Sequence, residues 1–488
     1  MRLSDATCLR LIRRGLADVL VPELESDAAR DAGRILLRTV DELLMRHSDA
    51  KDALNDLLQA GITLALRLEA MAQGMRIAVE ESSTHLQTLA QKLSARDPAV
   101  DITMLRRELL GVVDQLLNAI LSGSEVANAA ALQVAQDAAD WENALEQAVV
   151  AAAETRPPGV IAAGGLTRVS LQDWLCRALS EPQLEVDEFE RITGGMSKRT
   201  YRFRVRSNAW GNQPLILREM AGPPHGDFDS WILGSEYRLM RSLFQLGFPV
   251  PEPLLLSEDG RAYVMHRAPG GANAGIFSVS ARIPQTVLLG MAEFLGRLHS
   301  TPLHQFEDFL RLTHNEQTLT ETTSQCVRRT LLRWRDYSRR MRRLPSPIEA
   351  AEFQWLLQNV PPVDAPPSLL HGDIGPQNCL WDSERLTAVL DWEAAHCNDP
   401  AFDLGYLKPN IVARMDWNEF LRHYEAHGGP RIDQRRMQYF ERFSMYRTLL
   451  TTNQVVARAE HGDITDLVAL QVDFQYWPNF IKQTVTAR

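Results

Sequence analysis

Through the first third of the chain, apolar residues recur three and four positions apart. Segments such as AGITLALRLEAMAQGMRIAVE and NAAALQVAQDAADWENALEQAVVAAAE keep that spacing, which lines one face of a helix with apolar side chains. Before about residue 155 proline occurs only at Pro22 and Pro98, so an all-α helical bundle is expected over residues 1–153. Its many alanines would let helices approach closely, and no short repeat marks a solenoid. The pattern ends at ETRPPGVIAAGGLTR, where a Pro pair and then a Gly pair predict a linker over residues 154–168.

Beyond the linker the period shortens. FERITGG, RTYRFRV and PLILREM alternate or carry β-rich runs, and turn residues such as SNAWGNQP separate them. A helix is expected around SWILGSEYRLMRSLFQLG, followed by strands at PLLLSED and RAYVMHRA. From about Val287 the helical period returns, broken by short strands at CLWD and AVLDW. The expected fold class is α+β: a small β-rich lobe over residues 169–266 and a larger helical lobe over residues 267–488, with a helical insert at about 303–362.

With 488 residues, two or three domains are expected. The hydrophobic share of 45% and charged share of 23% are those of a soluble globular chain. A formal net charge of -10 argues against a nucleic-acid partner. Cys8, Cys176, Cys326, Cys379 and Cys397 form no C-x-x-C pair, so they indicate neither a disulfide framework nor a zinc site, and a reducing cytoplasm is the expected location. The start, MRLSDATCLRLIRRGLADVL, has acidic residues where a signal core would lie. No apolar run reaches the roughly 20 residues that span a bilayer, so no membrane partner is expected.

The chemistry concentrates in the second half. LLHGDIGPQN places Asp373 five positions before Asn378, and Asp391 follows thirteen positions later at the end of an apolar run. Phosphoryl transfer needs a carboxylate near the attacking hydroxyl and oxygen ligands that hold magnesium against phosphates, which these three residues can supply. The same Asp-to-Asn spacing occurs in the protein-kinase pattern. His371 would support the loop through hydrogen bonds, and Gly372 would permit its turn. Alone, the His-Gly-Asp triplet is equally well an ordinary turn with a capping Asp.

Two further elements fit the same chemistry. Gly194, Gly195 and Ser197 lie between strand-like runs, where backbone amides can cover phosphates, although an ordinary hairpin turn has the same composition. Arg218 on a predicted strand and Glu236 on a predicted helix can form the cation and carboxylate that grip a nucleotide, or a surface ion pair. Arg218 is the only cation this reading finds for that role, and arginine can take it because it grips phosphate bidentately. The first 153 residues contain no such constellation. His47 and His85 stand alone there as surface or capping residues, and the bundle is expected to serve self-association, docking to a protein partner, or simple stabilisation.

From about residue 165 to the end, the order of these motifs resembles the aminoglycoside phosphotransferase-like (APH) kinase family. GGMS is similar to its phosphate loop, FPVPEPLLLSED to the linker into the next strand, and YVMHRAPGG to the strand and hinge. LGRLHSTP looks like the helix before the catalytic region. LLHGDIGPQNCLW resembles the catalytic loop, and AVLDWEAAHCNDPAFDLGYL the metal strand with its continuation. The resemblance implies ATP and Mg2+ as cofactors, Asp373 as catalytic base beside His371, Asn378 and Asp391 as metal ligands, and Asp403 as a structural aspartate. Contacts to the adenine are expected around Met265, His266 and Ala268.

RTLLRWRDYSRR, FQWLLQNVPP, WEAAHCNDP and ERFSMYRTLL are similar to the kinase-like domains related to those fused to acyl-CoA dehydrogenases. His396, Cys397 and Asn398 depart from that subgroup, which generally has a Gly before the Asp-Pro pair. The helical region before residue 150 is not part of the kinase pattern.

Only Ala394 to Asn398 separate Glu393 from Asp399, so no long activation segment is available to dock a peptide. This favours a small-molecule substrate. Eight arginines fall between Arg328 and Arg343, too many for one helix face, so most are expected in solvent. Any that face the cleft would favour an anionic substrate, and a hydroxyacyl-CoA or other anionic hydroxy compound is the leading expectation. The alternatives are a kinase for an amino sugar or choline-like alcohol, and a catalytically silent nucleotide-binding module docked to a partner through the bundle.

Overall fold

The computed structural model describes Leu36 and residues 50–94, 102–122, 129–151, 166–192, 198–220, 233–271, 282–341 and 346–460. Four helices come first: α1 (Ala50–Gly74), α2 (Glu80–Ser94), α3 (Ile102–Ser122) and α4 (Ala129–Ala151). Helix α5 (Arg168–Leu179) leads into strands β1 (Glu185–Ile192), β2 (Lys198–Ser207) and β3 (Gly211–Met220). Helix α6 (Leu233–Gln245) and strands β4 (Pro253–Leu256) and β5 (Ala262–His266) follow. Next come α7 (Gln285–Ser300), α8 (Glu307–Leu312), α9 (Thr323–Met341) and α10 (Pro347–Gln358). The short strands β6 (Ser368–Leu370), β7 (Cys379–Asp382), β8 (Arg385–Val389) and β9 (His396–Asn398) precede α11 (Ala401–Val412), α12 (Trp417–Ala426) and α13 (Gln434–Glu460).

The chain divides into two compact units, one of residues 1–162, 334–359 and 445–488, the other of residues 163–333 and 360–444. The linker expected at 154–168 lies outside the described residues as far as residue 165. Among the described residues, no helix is long and apolar enough to cross a membrane.

In the first unit the apolar stripes of α1 to α4 bury a core of Leu58, Leu68, Val113, Leu117, Ala138 and Leu145. Gly61 lets Trp141 lie directly on α1, because a Cβ there would fall 2.3 Å from the indole. The same indole donates to the Leu57 carbonyl at 2.8 Å. Helix α10 belongs to this unit, and its Ala350 and Ala351 join the core. Its N-terminus is held by buried Glu142 of α4, which accepts from Ser346 Oγ at 2.9 Å and from the Ile348 amide at 2.8 Å. Sequence reading places this segment in the kinase insert, whereas its buried alanines pack with the N-terminal helices.

The second unit is built on an antiparallel five-stranded sheet in the order β1-β2-β3-β5-β4. Its two faces follow from the period of two. Tyr201, Phe203, Val205, Leu215, Leu217, Ala262 and Val264 point to one face and are covered by Leu171 and Leu175 of α5. The opposite face receives α6. Register pairs Lys198 with Met220, Thr200 with Arg218, and Arg218 with Tyr263, so Lys198, Arg218 and Tyr263 share that face. The helical part packs α6, α7 and α12 around Leu239, Met291, Leu295, Trp392 and Phe420. The pairs β6-β9 and β7-β8 sit within it and are joined through the loops of residues 371–378 and 390–395.

Candidate active site

Chain reversal at the end of β6 begins the site. Gly372 has φ +79, and a Cβ there would meet the Ala394 carbonyl oxygen at 2.1 Å, so only glycine fits this turn. Asp403, fully buried at the start of α11, accepts the His371 amide and the Gly372 amide at 2.8 Å each. Burial would raise the Asp403 carboxyl, but its hydrogen bonds, above all that from His299, hold it below the usual carboxylate range. His299 of α7 is in turn held by Tyr424 of α12, with 2.9 Å between Nδ1 and the hydroxyl. The loop is thus anchored through a buried chain of side chains.

His371 is also fully buried and spends both ring nitrogens on backbone. Nδ1 accepts from the Asp373 amide at 3.2 Å and Nε2 lies 2.9 Å from the Leu390 carbonyl, which fixes the neutral Nε2–H tautomer. Its ring packs against Trp392 at 4.6 Å between centroids. His371 thus supports the loop through hydrogen bonds, as its place in the sequence suggests. It joins the loop of residues 371–378 to the strand end that precedes Asp391.

Asp373 and Asn378 meet as their spacing suggests. Asn378 Nδ2 donates to the Asp373 carbonyl at 2.9 Å and to its Oδ2 at 3.0 Å, while the Tyr406 hydroxyl donates to Oδ1 at 2.7 Å. With Nδ2 engaged this way, the Asn378 side chain keeps its Oδ1 as a donor atom for a cation. The Leu390 amide donates to the Asn378 carbonyl at 2.7 Å, so the segment carrying Asp391 is tied to the loop that carries Asp373 and Asn378. Asp391 itself adopts a left-handed conformation, φ 65 and ψ 68, after β8. Two hard oxygen ligands on bonded neighbouring segments suit magnesium.

Arg218 Nη2 donates to Asp391 Oδ1 at 2.7 Å, and Nη1 lies 3.4 Å from Glu236 Oε1. Sequence reading leaves Arg218 as the sole cation in this position, and the structure corrects that. Lys198 Nζ lies 3.0 Å from Glu236 Oε2 and 2.6 Å from Glu393 Oε2, with its side chain only 2% exposed. The reason is register: Lys198 stands two residues before Thr200, the partner of Arg218, and so projects from the same face of the sheet. Tyr263 completes the group by donating to Glu236 Oε1 at 3.0 Å. Burial would raise the Glu236 carboxyl, but Arg218 and Lys198 hold it below the usual range. Burial would lower the Lys198 ammonium, yet Glu236 and Glu393 hold it above its ordinary value.

The remaining expected residues divide into two groups. Gly194, Gly195 and Ser197 lie outside the described residues. Met265 of β5 is buried in the core beneath the sheet, His266 sits 2.9 Å from Glu252, and Ala268 follows half-buried. Lys198, Tyr406 and His299 escape sequence reading; the best available signal was the strand period that aligns Lys198 with Arg218. Of the insert arginines, Arg329 pairs with Glu321 at 2.7 Å and Arg333 donates to Asn315 at 3.1 Å. Arg335 pairs with Asp336 and lies over Phe353, and Arg339 donates to Asn118. Arg342 and Arg343 lie outside the described residues.

The model of the phosphotransferase enzyme family (APH) matches residues 188–440, just over half of the chain. The chain therefore belongs to this family of phosphotransferase enzymes. Acyl-CoA dehydrogenase family member 11 of Gallus gallus is 30% identical over 252 residues, covering 49% of this chain and 30% of that protein. Member 10 of Mus musculus is 25% identical over 232 residues, 45% of this chain and 20% of that protein. The chain thus spans under a third of the length of these relatives. Among solved structures, a Ralstonia eutropha protein described as a candidate aminoglycoside phosphotransferase gives a TM-score of 0.49 at 20% identity, over 66% of this chain and 98% of that one. A macrolide 2'-phosphotransferase from Brachybacterium faecium gives 0.42 at 18%, over 59% and 93%.

Proposed function

We propose that this protein is an ATP- and magnesium-dependent small-molecule kinase that transfers the γ-phosphate to a hydroxyl of an anionic hydroxy compound, with a hydroxyacyl-CoA as the leading substrate. The observation that carries the kinase reading is the hydrogen-bonded pair of Asp373 and Asn378, with the Leu390 amide tying the segment of Asp391 to Asn378 and Arg218 against Asp391. Asp373 is held on both carboxylate oxygens by Tyr406 and Asn378, ready to accept or orient the proton of the acceptor hydroxyl. Asn378 Oδ1 and the Asp391 carboxylate would hold the metal. Magnesium there would neutralise phosphate charge and align the transferred group.

Arg218, kept buried and charged beside Glu236, supplies positive charge for the phosphates, and Lys198 reinforces it. Gly194, Gly195 and Ser197 would add backbone amides over the phosphates, and Met265, His266 and Ala268 would border the adenine. Positioning and electrostatics account for most of the acceleration in such a transfer.

The substrate class is supported by the names of the relatives, which are acyl-CoA dehydrogenase family members. The arginine run adds little, because Arg329, Arg333, Arg335 and Arg339 are engaged within the protein. The test is ADP release by the purified protein with hydroxyacyl-CoA esters, free hydroxy acids, aminoglycosides and choline-type alcohols. Stimulation by the acyl esters or hydroxy acids supports the reading. Turnover of only the cationic acceptors removes the substrate class and keeps the kinase.

A further inference from the structure

Helices α7 and α12 cross at very short range. Gly296 of α7 faces the end of α12 so closely that a Cβ would lie 2.5 Å from the Tyr424 carbonyl oxygen and 3.1 Å from that of His427. One turn before Gly296, and so on the same side of α7, stands Glu293, whose side chain is 47% exposed. Opposite it, His423 and His427 follow each other at i and i+4 on α12 and its C-cap, with ring centroids 4.4 Å apart. One ligand atom from each of the three residues lies within 4.8 Å of the others. These groups take no part in the phosphoryl-transfer site.

The hydrogen bonding prepares one of these rings for a metal. His427 Nδ1 lies 2.8 Å from the His423 carbonyl oxygen, which can only accept, so Nδ1 carries the proton in the neutral ring. The lone pair is then on Nε2, 3.8 Å from Glu293 Oε2. A backbone carbonyl that fixes the far nitrogen is the usual support of a metal-bound imidazole. Around zinc, with bonds of about 2.0–2.1 Å, tetrahedral neighbours are about 3.4 Å apart, so side-chain rotations of about an ångström close the set.

We propose that Glu293, His423 and His427 form a surface site for zinc or a similar borderline transition-metal dication, with water completing the coordination. Two imidazoles select such a metal over magnesium, which prefers oxygen donors and an octahedral shell. Occupancy fastens α7 to α12. The inner faces of these helices carry His299 and Tyr424, the pair that holds Asp403 under the catalytic loop. The site therefore lies on the outer side of the support for Asp373. The proposal stands apart from the substrate reading, since binding is read without turnover.

The experiment uses untagged full-length protein in magnesium buffer and titrates zinc in competition with a chromophoric chelator. One zinc per chain is expected, with affinity at least about tenfold weaker in His423→Ala, His427→Ala and Glu293→Gln, a change of about 1.4 kcal/mol. Zinc is also expected to raise the melting temperature of the wild type and not of the variants. X-ray absorption of the zinc-loaded wild type checks the ligands without relying on any variant: a nitrogen and oxygen shell with imidazole scattering is expected. No binding at about 100 μM zinc, equal affinity in the three variants, or sulfur in the shell would overturn the assignment.

Discussion

Arg218 donates to Asp391 at 2.7 Å and reaches Glu236 at 3.4 Å, so one guanidinium joins the sheet, helix α6 and the strand end that carries a proposed metal ligand. Lys198 approaches the same buried carboxylate at 3.0 Å. Glu236 therefore has two cations, and losing one leaves the other. Lys198→Met and Arg218→Met are each expected to cost about 1 kcal/mol of stability, and the double variant about 4 kcal/mol, because only the double leaves the carboxylate buried without a countercharge. Urea unfolding of the four proteins measures the coupling. Strict additivity would contradict shared support of Glu236.

Glu142 predicts a pH dependence in the other unit. Burial pushes its carboxyl up to about 7, against the opposing hydrogen bonds from Ile348 and Ser346. Between the ordinary value of 4.5 and about 7 the folded state therefore holds more protons than the unfolded one, and stability falls as pH rises through that window. The size is about 3 kcal/mol. Glu142→Gln should flatten this slope in thermal melts across the window, whereas an unchanged slope would show that another group titrates. Glu236 and Asp403, both held low, act oppositely, and their contribution is lost as pH falls below the ordinary carboxylate range.

Gly372→Ala places a methyl group against the Ala394 carbonyl oxygen at a backbone angle that alanine rarely adopts. The strain, of order 1–3 kcal/mol, falls on the turn that aims Asp373. The variant is expected to lose turnover by about 100-fold or more, since a misplacement of about 1 Å is enough for that. A rate within a factor of about two of the wild type would show that the turn has room to move.

Tyr406→Phe removes the hydroxyl that donates to Asp373 Oδ1 at 2.7 Å. The carboxylate keeps Asn378 but is held from one side only. A fall in kcat of about tenfold with an unchanged KM for the nucleotide is expected, because in the proposed mechanism Asp373 acts on the acceptor's proton and not on phosphate binding. Steady-state kinetics varying ATP and acceptor separately would distinguish this from a rise in nucleotide KM, which would contradict the assignment.

The site was legible where sequence spacing and spatial closeness coincide. Asp373 and Asn378 lie within one tight loop, so five positions of sequence become a hydrogen bond. Asp391 was legible because it ends an apolar strand whose partner follows Asn378 directly. Lys198 was not, since in KRTYRFRVRS it is one of five cations on a strand and only the pairing with β3 shows which face it takes. Helix α10 falls within the expected insert for a related reason. PIEAAEFQWLLQ is apolar around much of its circumference, which announces burial without naming the partner, and the partner proved to be helices α3 and α4 of the N-terminal region.

The most direct test is magnesium-dependent phosphoryl transfer by the wild type and by Asp373→Asn, with ATP binding measured on both. The variant is expected to bind nucleotide nearly as well as the wild type while its turnover falls by about three orders of magnitude or more, because the proposed role of the carboxylate is on the acceptor hydroxyl. Turnover unchanged in Asp373→Asn, or transfer indifferent to magnesium, would contradict it.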